Sequence, residues 1–253
     1  MNYDVQGKIA VVTGAAQGIG EATALLLAEN GAKLIIADLD DKLGPQVAQK
    51  IKDQGGMAEY CQFDVTNEQS VQELIRFSVK TYGKIDCAVN STGIDAYCEV
   101  KDLTDAEMQR VMNIIYTGVF YEIRYEILAM LESGGGSIVS LSSGSGLFGH
   151  PGKGAYTAGK HALNGLTKCA ALENARNNIR INAICPGPIY TIVHKRKEIN
   201  DPEAFKRYAA AVPMGRHGKP EEIAHVAAWL CSDASSYMTG VMLPVDGGMA
   251  AQR

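Results

Sequence analysis

Short apolar runs alternate along the whole chain with longer segments whose apolar positions recur at helical spacing. The short runs are rich in β-branched residues, which favours buried strands; they lie at 8–13, 32–38, 57–65, 84–90, 136–143, 179–187 and 241–248. The segments predicted as helices are GEATALLLAENG, NEQSVQELIRFSVKTYG, 104–132, 155–177 and PEEIAHVAAWLCSD. This alternation implies parallel strands joined by right-handed crossovers. The pattern therefore predicts one α/β domain over residues 1–253, a doubly wound parallel sheet of about seven strands flanked by helices.

The first predicted strand runs into TGAAQGIG, a turn with three glycines, and then into a helix. Such a turn lets the backbone approach a pyrophosphate, whose charge the helix N-terminus favours. The spacing is GxxxGxG rather than GxGxxG, and three glycines in a turn suit tight packing equally well. The position after the first strand favours a dinucleotide site. The candidate contacts are Gly14, Gln17, Gly18, Ile19 and Gly20.

The second predicted strand ends at Asp38, eighteen residues after Gly20. A carboxylate here can accept hydrogen bonds from the adenosine ribose and would repel a 2′-phosphate. A loop-capping aspartate is the alternative interpretation. No Arg or Lys lies in the first turn or directly after Asp38, although Lys42 is near. The sequence therefore favours NAD over NADP.

The segment AYTAGKHALNGL at 155–166 is predicted as a helix that places Tyr156 and Lys160 on one face. Taken alone, the pair is better explained by coincidence, as a ring that packs and a lysine that extends to water. Its surroundings in the sequence change that interpretation.

The ordered set of TGAAQGIG, NSTG at 90–93, a serine thirteen residues before YTAGK, and RINAICPG resembles the short-chain dehydrogenase/reductase family. The resemblance covers essentially the whole chain and extends to GKPEEIA at 218–224 and VDGG at 245–248. It implies a Rossmann-like fold and an NAD(H)-dependent oxidoreductase that interconverts a secondary alcohol and a ketone by hydride transfer.

The same resemblance implies a role for each catalytic residue. Tyr156 would be the general acid/base, and Ser143 would hydrogen-bond the substrate oxygen. Lys160 would hold the nicotinamide ribose and lower the pKa of Tyr156, because a neighbouring ammonium favours the phenolate. Besides Tyr156 and Lys160, the implied cofactor contacts are Asp64, Val65, Asn90, Gly93, Pro186, Gly187, Ile189 and Thr191. The chain departs from the family's NNAG at Ser91 and Thr92.

The family's fourth catalytic residue is an Asn three residues before a glycine, and Ile115 stands there, ahead of Gly118. Asn113 lies about 200° away around a regular helix, so only a local bulge would bring it into the site. In one alternative the other three residues suffice for an enzyme. In another the chain is an NAD-binding regulator with weak turnover. A third is a 3-oxoacyl-carrier reductase, against which Asp38 counts because such reductases usually take NADPH.

Residues 188–215 form the longest stretch without a strand signal and correspond to the family's substrate lid. The lid contains HKRK at 194–197, which is either a solvated helix face or a recognition element for an anionic substrate. The family also implies a homotetramer, with the helices at 104–132 and 155–177 as interface.

Composition and charge narrow the classes of partner and the cellular location that the sequence allows. A net charge of −4 without a basic block argues against nucleic acid. No apolar run approaches the roughly 18 residues of a membrane-spanning helix, and the start lacks the apolar stretch of a signal peptide. Six scattered cysteines without a CxxC pair indicate reduced thiols in the cytoplasm rather than disulfides or a metal site.

Overall fold

The computed structural model describes residues 3–192, 199 and 201–252. One parallel sheet contains seven strands in the order β3-β2-β1-β4-β5-β6-β7. The strands are β1 (Ile9–Thr13), β2 (Lys33–Asp38), β3 (Met57–Gln62), β4 (Cys87–Asn90), β5 (Gly136–Leu141), β6 (Ile179–Pro186) and β7 (Met242–Val245). The order reverses between β1 and β4, where a doubly wound sheet opens a crevice at its carboxyl edge.

Helices cover both faces of this sheet. They are α1 (Gly18–Glu29), α2 (Leu43–Asp53), α3 (Glu68–Tyr82), α4 (Asp105–Met112), α5 (Gly118–Ser133), α6 (Gly154–Asn174), α7 (Pro202–Ala210) and α8 (Pro220–Cys231). Local signals set several of their ends. The Asn67 side chain accepts from the Gln69 and Ser70 amides to begin α3, and Gly83, with a φ of 89°, ends it.

The core consists of two apolar layers, one on each side of the sheet. Successive residues of a strand point to opposite faces, so Val12 packs with Leu27 of α1 and Ile223 of α8. Val11 packs with the layer formed by α3, α5 and α6. Burial on both faces explains why these strands are continuously apolar in the sequence.

The seven predicted strands, the doubly wound parallel sheet and the single domain are confirmed. Four strands are shorter than predicted by two or more residues: β3 ends at Gln62, β4 begins at Cys87, β5 ends at Leu141 and β7 covers only Met242–Val245. The residues beyond these ends leave the ladder for loops and turns. The helix predicted over 104–132 is α4 and α5 joined by a π-helical turn, Asn113–Thr117.

Two further expectations from the sequence concern the HKRK run and the presence of membrane spans or metal sites. The HKRK run at 194–197 lies outside the described residues. Within residues 3–192, 199 and 201–252, no helix is both long and apolar enough to cross a membrane, and no cluster of His, Cys, Asp and Glu side chains is suited to a metal ion.

Candidate active site

Two adjoining cavities open at the carboxyl edge of the sheet. The first, about 540 Å³, lies over the glycine turn and the ends of β2 and β3. The second, about 270 Å³, lies over the ends of β5 and β6 and the start of α6. Ile19, Gly93 and Thr191 line both. A ligand as long as a dinucleotide can therefore extend from one cavity into the other.

Each glycine of the first turn meets a different requirement. Gly14 has a φ of 60°, and a Cβ there would lie 2.8 Å from the main chain of Ser91. A Cβ on Gly20 would collide with the Gly14 carbonyl oxygen, so this glycine brings α1 close to the turn. Gly18 has a φ of 64°, and a Cβ there would meet only the Thr191 side chain, at 3.5 Å. The turn fits a cradle for a pyrophosphate.

Asp38 connects the ends of the first two strands. Its Oδ2 accepts a hydrogen bond from the Ala16 amide at 2.9 Å, and its Oδ1 accepts one from the Asp40 amide at 3.0 Å. The loop-capping interpretation is therefore observed. Asp38 also lines the first cavity, whose described lining contains no Arg or Lys.

Tyr156 lies in the first turn of α6 and its ring packs against a small cluster around Val111, Ile115 and Ala155. Ser143 follows β5, and its Oγ accepts from the Ser145 amide at 3.1 Å. Burial raises the pKa of Tyr156, while a hydrogen bond with the Ser143 hydroxyl and the charge of Lys153 lower it. The structure thus brings Ser143 and Tyr156 together at the wall of the second cavity.

Lys153 is a neighbour of Tyr156 that the sequence analysis missed. Its Nζ lies 2.9 Å from Asp95 Oδ1. The same Nζ lies 4.3 Å from the centroid of the Tyr97 ring and 5.2 Å from that of Tyr156. Burial opposes the charge, but hydrogen bonds with Tyr97 and Asp95 raise the pKa of Lys153 above its usual range. The sequence signal that could have identified Lys153 is its position three residues before Tyr156, which places the two side chains on one helical face.

Lys160 is only 3% exposed, and its Nζ donates a hydrogen bond to the Leu141 carbonyl at 2.6 Å. Burial lowers its pKa to about 8. We expected the Lys160 ammonium to lower the pKa of Tyr156. In the structure its Nζ lies 5.8 Å from the centroid of that ring and is directed to a main-chain carbonyl. The ammonium that lowers this pKa belongs to Lys153.

The bulge that could bring Asn113 into the site exists, as the π-helical turn, but it does not do so. Asn113 Oδ1 accepts from Gln109 Nε2 at 2.7 Å, at an exposed position. Ile115 is fully buried instead, and a Cβ on Gly159 would lie 2.9 Å from its Cγ2. The apolar side chain of Ile115 therefore fills the space beside the first turns of α6.

Most of the remaining predicted residues line one of the two cavities. Those in the first are Gln17, Asp64 and Val65, and those in the second are Pro186, Gly187 and Ile189. Gly20 and Asn90 are not among the lining residues. The Asn90 side chain instead donates to Glu126 Oε2 of α5 at 3.0 Å. Glu126 and its neighbour Glu122 are buried carboxyls that the sequence analysis also missed.

A doubly wound sheet with a glycine turn at its first crossover, and with Ser143, Tyr156 and Lys160 beside it, defines an oxidoreductase of the Rossmann-like class. A family model described as enoyl-(acyl carrier protein) reductase matches residues 14–250. The chain belongs to the short-chain dehydrogenase/reductase family, whose members typically bind a nicotinamide cofactor.

Characterised relatives differ in substrate. The chain is 38% identical to 2,5-dichloro-2,5-cyclohexadiene-1,4-diol dehydrogenase of Sphingobium indicum, over 98% of this chain and 99% of that protein. It is 36% identical to cyclohexanol dehydrogenase of an Acinetobacter species, over 100% and 98%. It is also 36% identical to a 3-oxoacyl-[acyl-carrier-protein] reductase of Thermotoga maritima, over 97% and 98%. Among solved structures, levodione reductase superimposes with a TM-score of 0.94 at 32% identity, covering 98% of this chain and 99% of that one.

Proposed function

We propose that the protein is an NAD(H)-dependent oxidoreductase that interconverts a neutral, cyclic secondary alcohol and its ketone. The observation that carries this proposal is the juxtaposition of Ser143 and Tyr156 at the wall of a cavity that continues to the glycine turn. This pair can hold a substrate oxygen and exchange its proton.

The nicotinamide cofactor supplies or accepts the hydride when it is bound. In the reduction direction the Tyr156 hydroxyl donates its proton to the oxygen as it becomes an alcohol, and in oxidation the phenolate accepts that proton. Ser143 orients the oxygen by hydrogen bonding. Lys160 would hold the ribose of the bound cofactor and return a proton to Tyr156. The further cofactor contacts we propose are Gly14, Gln17, Gly18, Ile19, Gly20, Asp38, Asp64, Val65, Asn90, Gly93, Pro186, Gly187, Ile189 and Thr191.

The preference for NAD rests on Asp38 and on the absence of any cation from the described lining of the first cavity. Among the described residues of that lining, a 2′-phosphate would meet a carboxylate and no Arg or Lys. Asp38→Asn keeps an acceptor for the Ala16 amide and removes the charge. We expect it to improve the Kd for NADPH relative to NADH by about tenfold, on the order of a single charge–charge repulsion. Tighter binding of NADPH than NADH by the unaltered protein would refute the preference.

The substrate class follows from the walls of the second cavity. Lys153 and Asp95 neutralise each other there at 2.9 Å, so this wall offers no net charge to an anion. The apolar lining includes Ile94, Leu141, Phe148, Ile189 and Met249. A neutral ring with one or two oxygen functions fits these walls, and two of the named relatives act on such rings.

The carrier-linked alternative is favoured by the similarity to a 3-oxoacyl-[acyl-carrier-protein] reductase. One experiment separates the candidates: loss of NADH or NADPH absorbance is followed with neutral cyclic ketones, acidic ketones and a 3-oxoacyl carrier. We expect turnover of cyclic ketones with NADH. Turnover of the carrier substrate with NADPH would favour the alternative, and NADH binding without any turnover would favour a regulator.

We further propose a homotetramer assembled through α5 and α6. Leu128 and Leu131 on α5 are about half exposed, and Leu172 on α6 is 82% exposed. Exposed leucines on two adjacent helices indicate a surface that a second copy would cover. We expect Leu172→Glu to reduce the mass measured by light scattering, with exposed Leu39→Glu, which lies at the cofactor cavity, as the matched control.

A further inference from the structure

The buried face of α5 contains two glutamates. Its buried positions follow helical spacing through Val119, Ile123 and Met130, and Glu122 and Glu126 occupy the same stripe. Each of the two is only 1% exposed. Two carboxyls one turn apart are costly to bury, because both lose hydration and their charges repel each other. Their presence in an otherwise apolar stripe calls for a physical role.

The polar groups around this pair belong to the carboxyl edge of the sheet. Thr13, Asn90 and Ser140 lie side by side on β1, β4 and β5. Asn90 Nδ2 donates to Glu126 Oε2 at 3.0 Å. Within the described chain, both Glu122 oxygens, Thr13 Oγ1 and Ser140 Oγ are buried without a hydrogen-bond partner. Among the residues that the structure describes, the pair therefore has one hydrogen bond, from Asn90 to Glu126, and the Glu122 oxygens have no donor that would compete with a bound proton.

Lys160 of α6 is buried beside this row, since its Nζ donates to the Leu141 carbonyl, one residue after Ser140, and the charges of Lys160 and Glu122 act on each other. Burial and the charge of Glu126 raise the pKa of Glu122, while the Thr13 hydroxyl and the Lys160 charge oppose them. Burial raises the pKa of Glu126 to about 8, close to the value of about 8 for Lys160. Burial therefore favours the protonated form of both carboxyls and the neutral form of the Lys160 amine.

The other titratable groups nearby are few in the described part of the chain. The Cys185 thiol of β6 interacts with Lys160. From α3, Glu68 approaches α5, but it accepts from the Tyr125 hydroxyl at 2.6 Å and pairs with Arg124, on the exposed side of the helix. The carboxyl that acts on Lys160 is thus Glu122.

We propose that Glu122 is a positioning residue that exchanges a proton with Lys160, assisted by Glu126, in a chain where Ile115 occupies the position of the family's Asn. In ketone reduction, Lys160 passes a proton towards Tyr156, the Glu122 O–H bond breaks and a new N–H bond forms on Lys160. The Glu122 carboxylate regains a proton from Glu126 and finally from solvent water. Oxidation runs the same transfers in reverse. This inference rests on the proposed oxidoreductase function.

The kinetic test compares Glu122→Gln with the matched control Glu132→Gln, which alters an exposed carboxyl on the same helix. For Glu122→Gln we expect kcat of ketone reduction to fall about tenfold, with KM unchanged and a displaced pH profile, since a relay group contributes at the low end of acid–base catalysis. Glu132→Gln should match the unaltered protein. Adding Ile115→Asn to Glu122→Gln should restore most of the rate. An unchanged pH profile, or no restoration by a folded double variant, would overturn the proposal.

A second readout does not require turnover and so separates failure of this inference from failure of the proposed function. The infrared C=O band of protonated carboxyls is followed from about pH 6 to about pH 10 in D₂O. We expect a buried band that Glu122→Gln removes and whose midpoint rises in Lys160→Met, because the ammonium no longer favours the carboxylate. A midpoint unaffected by Lys160→Met would refute the exchange even if the protein reduces no ketone.

Discussion

Tyr156 and Lys160 stand one turn apart on α6, yet they face different surroundings. Tyr156 lines the second cavity with Ser143, and the Lys153 amine, which is paired with Asp95, lies over its ring. Lys160 is buried against the Leu141 carbonyl and interacts electrostatically with the carboxyl of Glu122. Polar partners at the cavity wall therefore surround the phenol, and the amine is held in the interior.

The difference shows that burial acts on these two groups in opposite directions. It raises the pKa of Tyr156, whose charged form is an anion, and lowers that of Lys160, whose charged form is a cation. The amine thereby titrates near neutral pH, at about 8. The charge of Lys153 therefore lowers the pKa of the Tyr156 phenol, whereas Lys160 has a pKa at which it can gain or lose a proton.

The largest expected effect comes from removing the phenol. Tyr156→Phe should reduce kcat/KM by about 10³-fold, within the range for loss of a general acid/base. NADH affinity, measured by fluorescence titration, should remain within about twofold because the ring is retained. Tyr237→Phe, at a fully exposed tyrosine, is the matched control. Comparable activity in both variants would place the proton transfer elsewhere.

A smaller effect distinguishes the two lysines. Lys153→Met removes the charge that lowers the pKa of Tyr156, so the alkaline pH profile of alcohol oxidation should move to higher pH. The rate at neutral pH should fall about fivefold, for an interaction on the order of 1 kcal/mol. Asp95→Asn removes a charge that raises the same pKa, and its profile should move the other way. Shifts of the same sign would show that the pair acts only by shaping the cavity.

The smallest effect concerns stability. The pKa of Glu126 is raised to about 8 from 4.5, so the folded protein binds more protons than the unfolded chain between these values. Its contribution to stability is fully present below pH 4.5 and is lost as the pH rises through about 8. Glu126→Gln should melt about 5 °C higher than the unaltered protein above that pH, and at the same temperature below pH 4.5. Thermal melts across this range measure the difference, and parallel melting curves for the two proteins would contradict the assigned pKa.

Local patterns in the sequence were sufficient to predict the fold. The alternation of short apolar runs and helical segments predicted the seven-stranded parallel sheet, because strands buried on both faces must be apolar throughout. The glycine turn could be predicted equally well from the sequence, because positive φ values at Gly14 and Gly18 and the close packing of Gly20 against the turn all require glycine. The ordered motifs around Ser143, Tyr156 and Lys160 pointed to the family that the comparisons confirm.

Contacts between distant parts of the chain decided the rest. The direction of the Lys160 amine depends on Leu141, nineteen residues away, and the ion pair over Tyr156 joins residues fifty-eight apart. Glu122 and Glu126 occupied apolar-stripe positions in the sequence, but only the packed structure shows that they are buried against the sheet, with Asn90 bonded to Glu126. The sequence by itself predicted most of the residues that line the two cavities, but it missed Lys153. The tertiary structure determined their protonation, because burial and neighbouring charges are set by packing that no local pattern records.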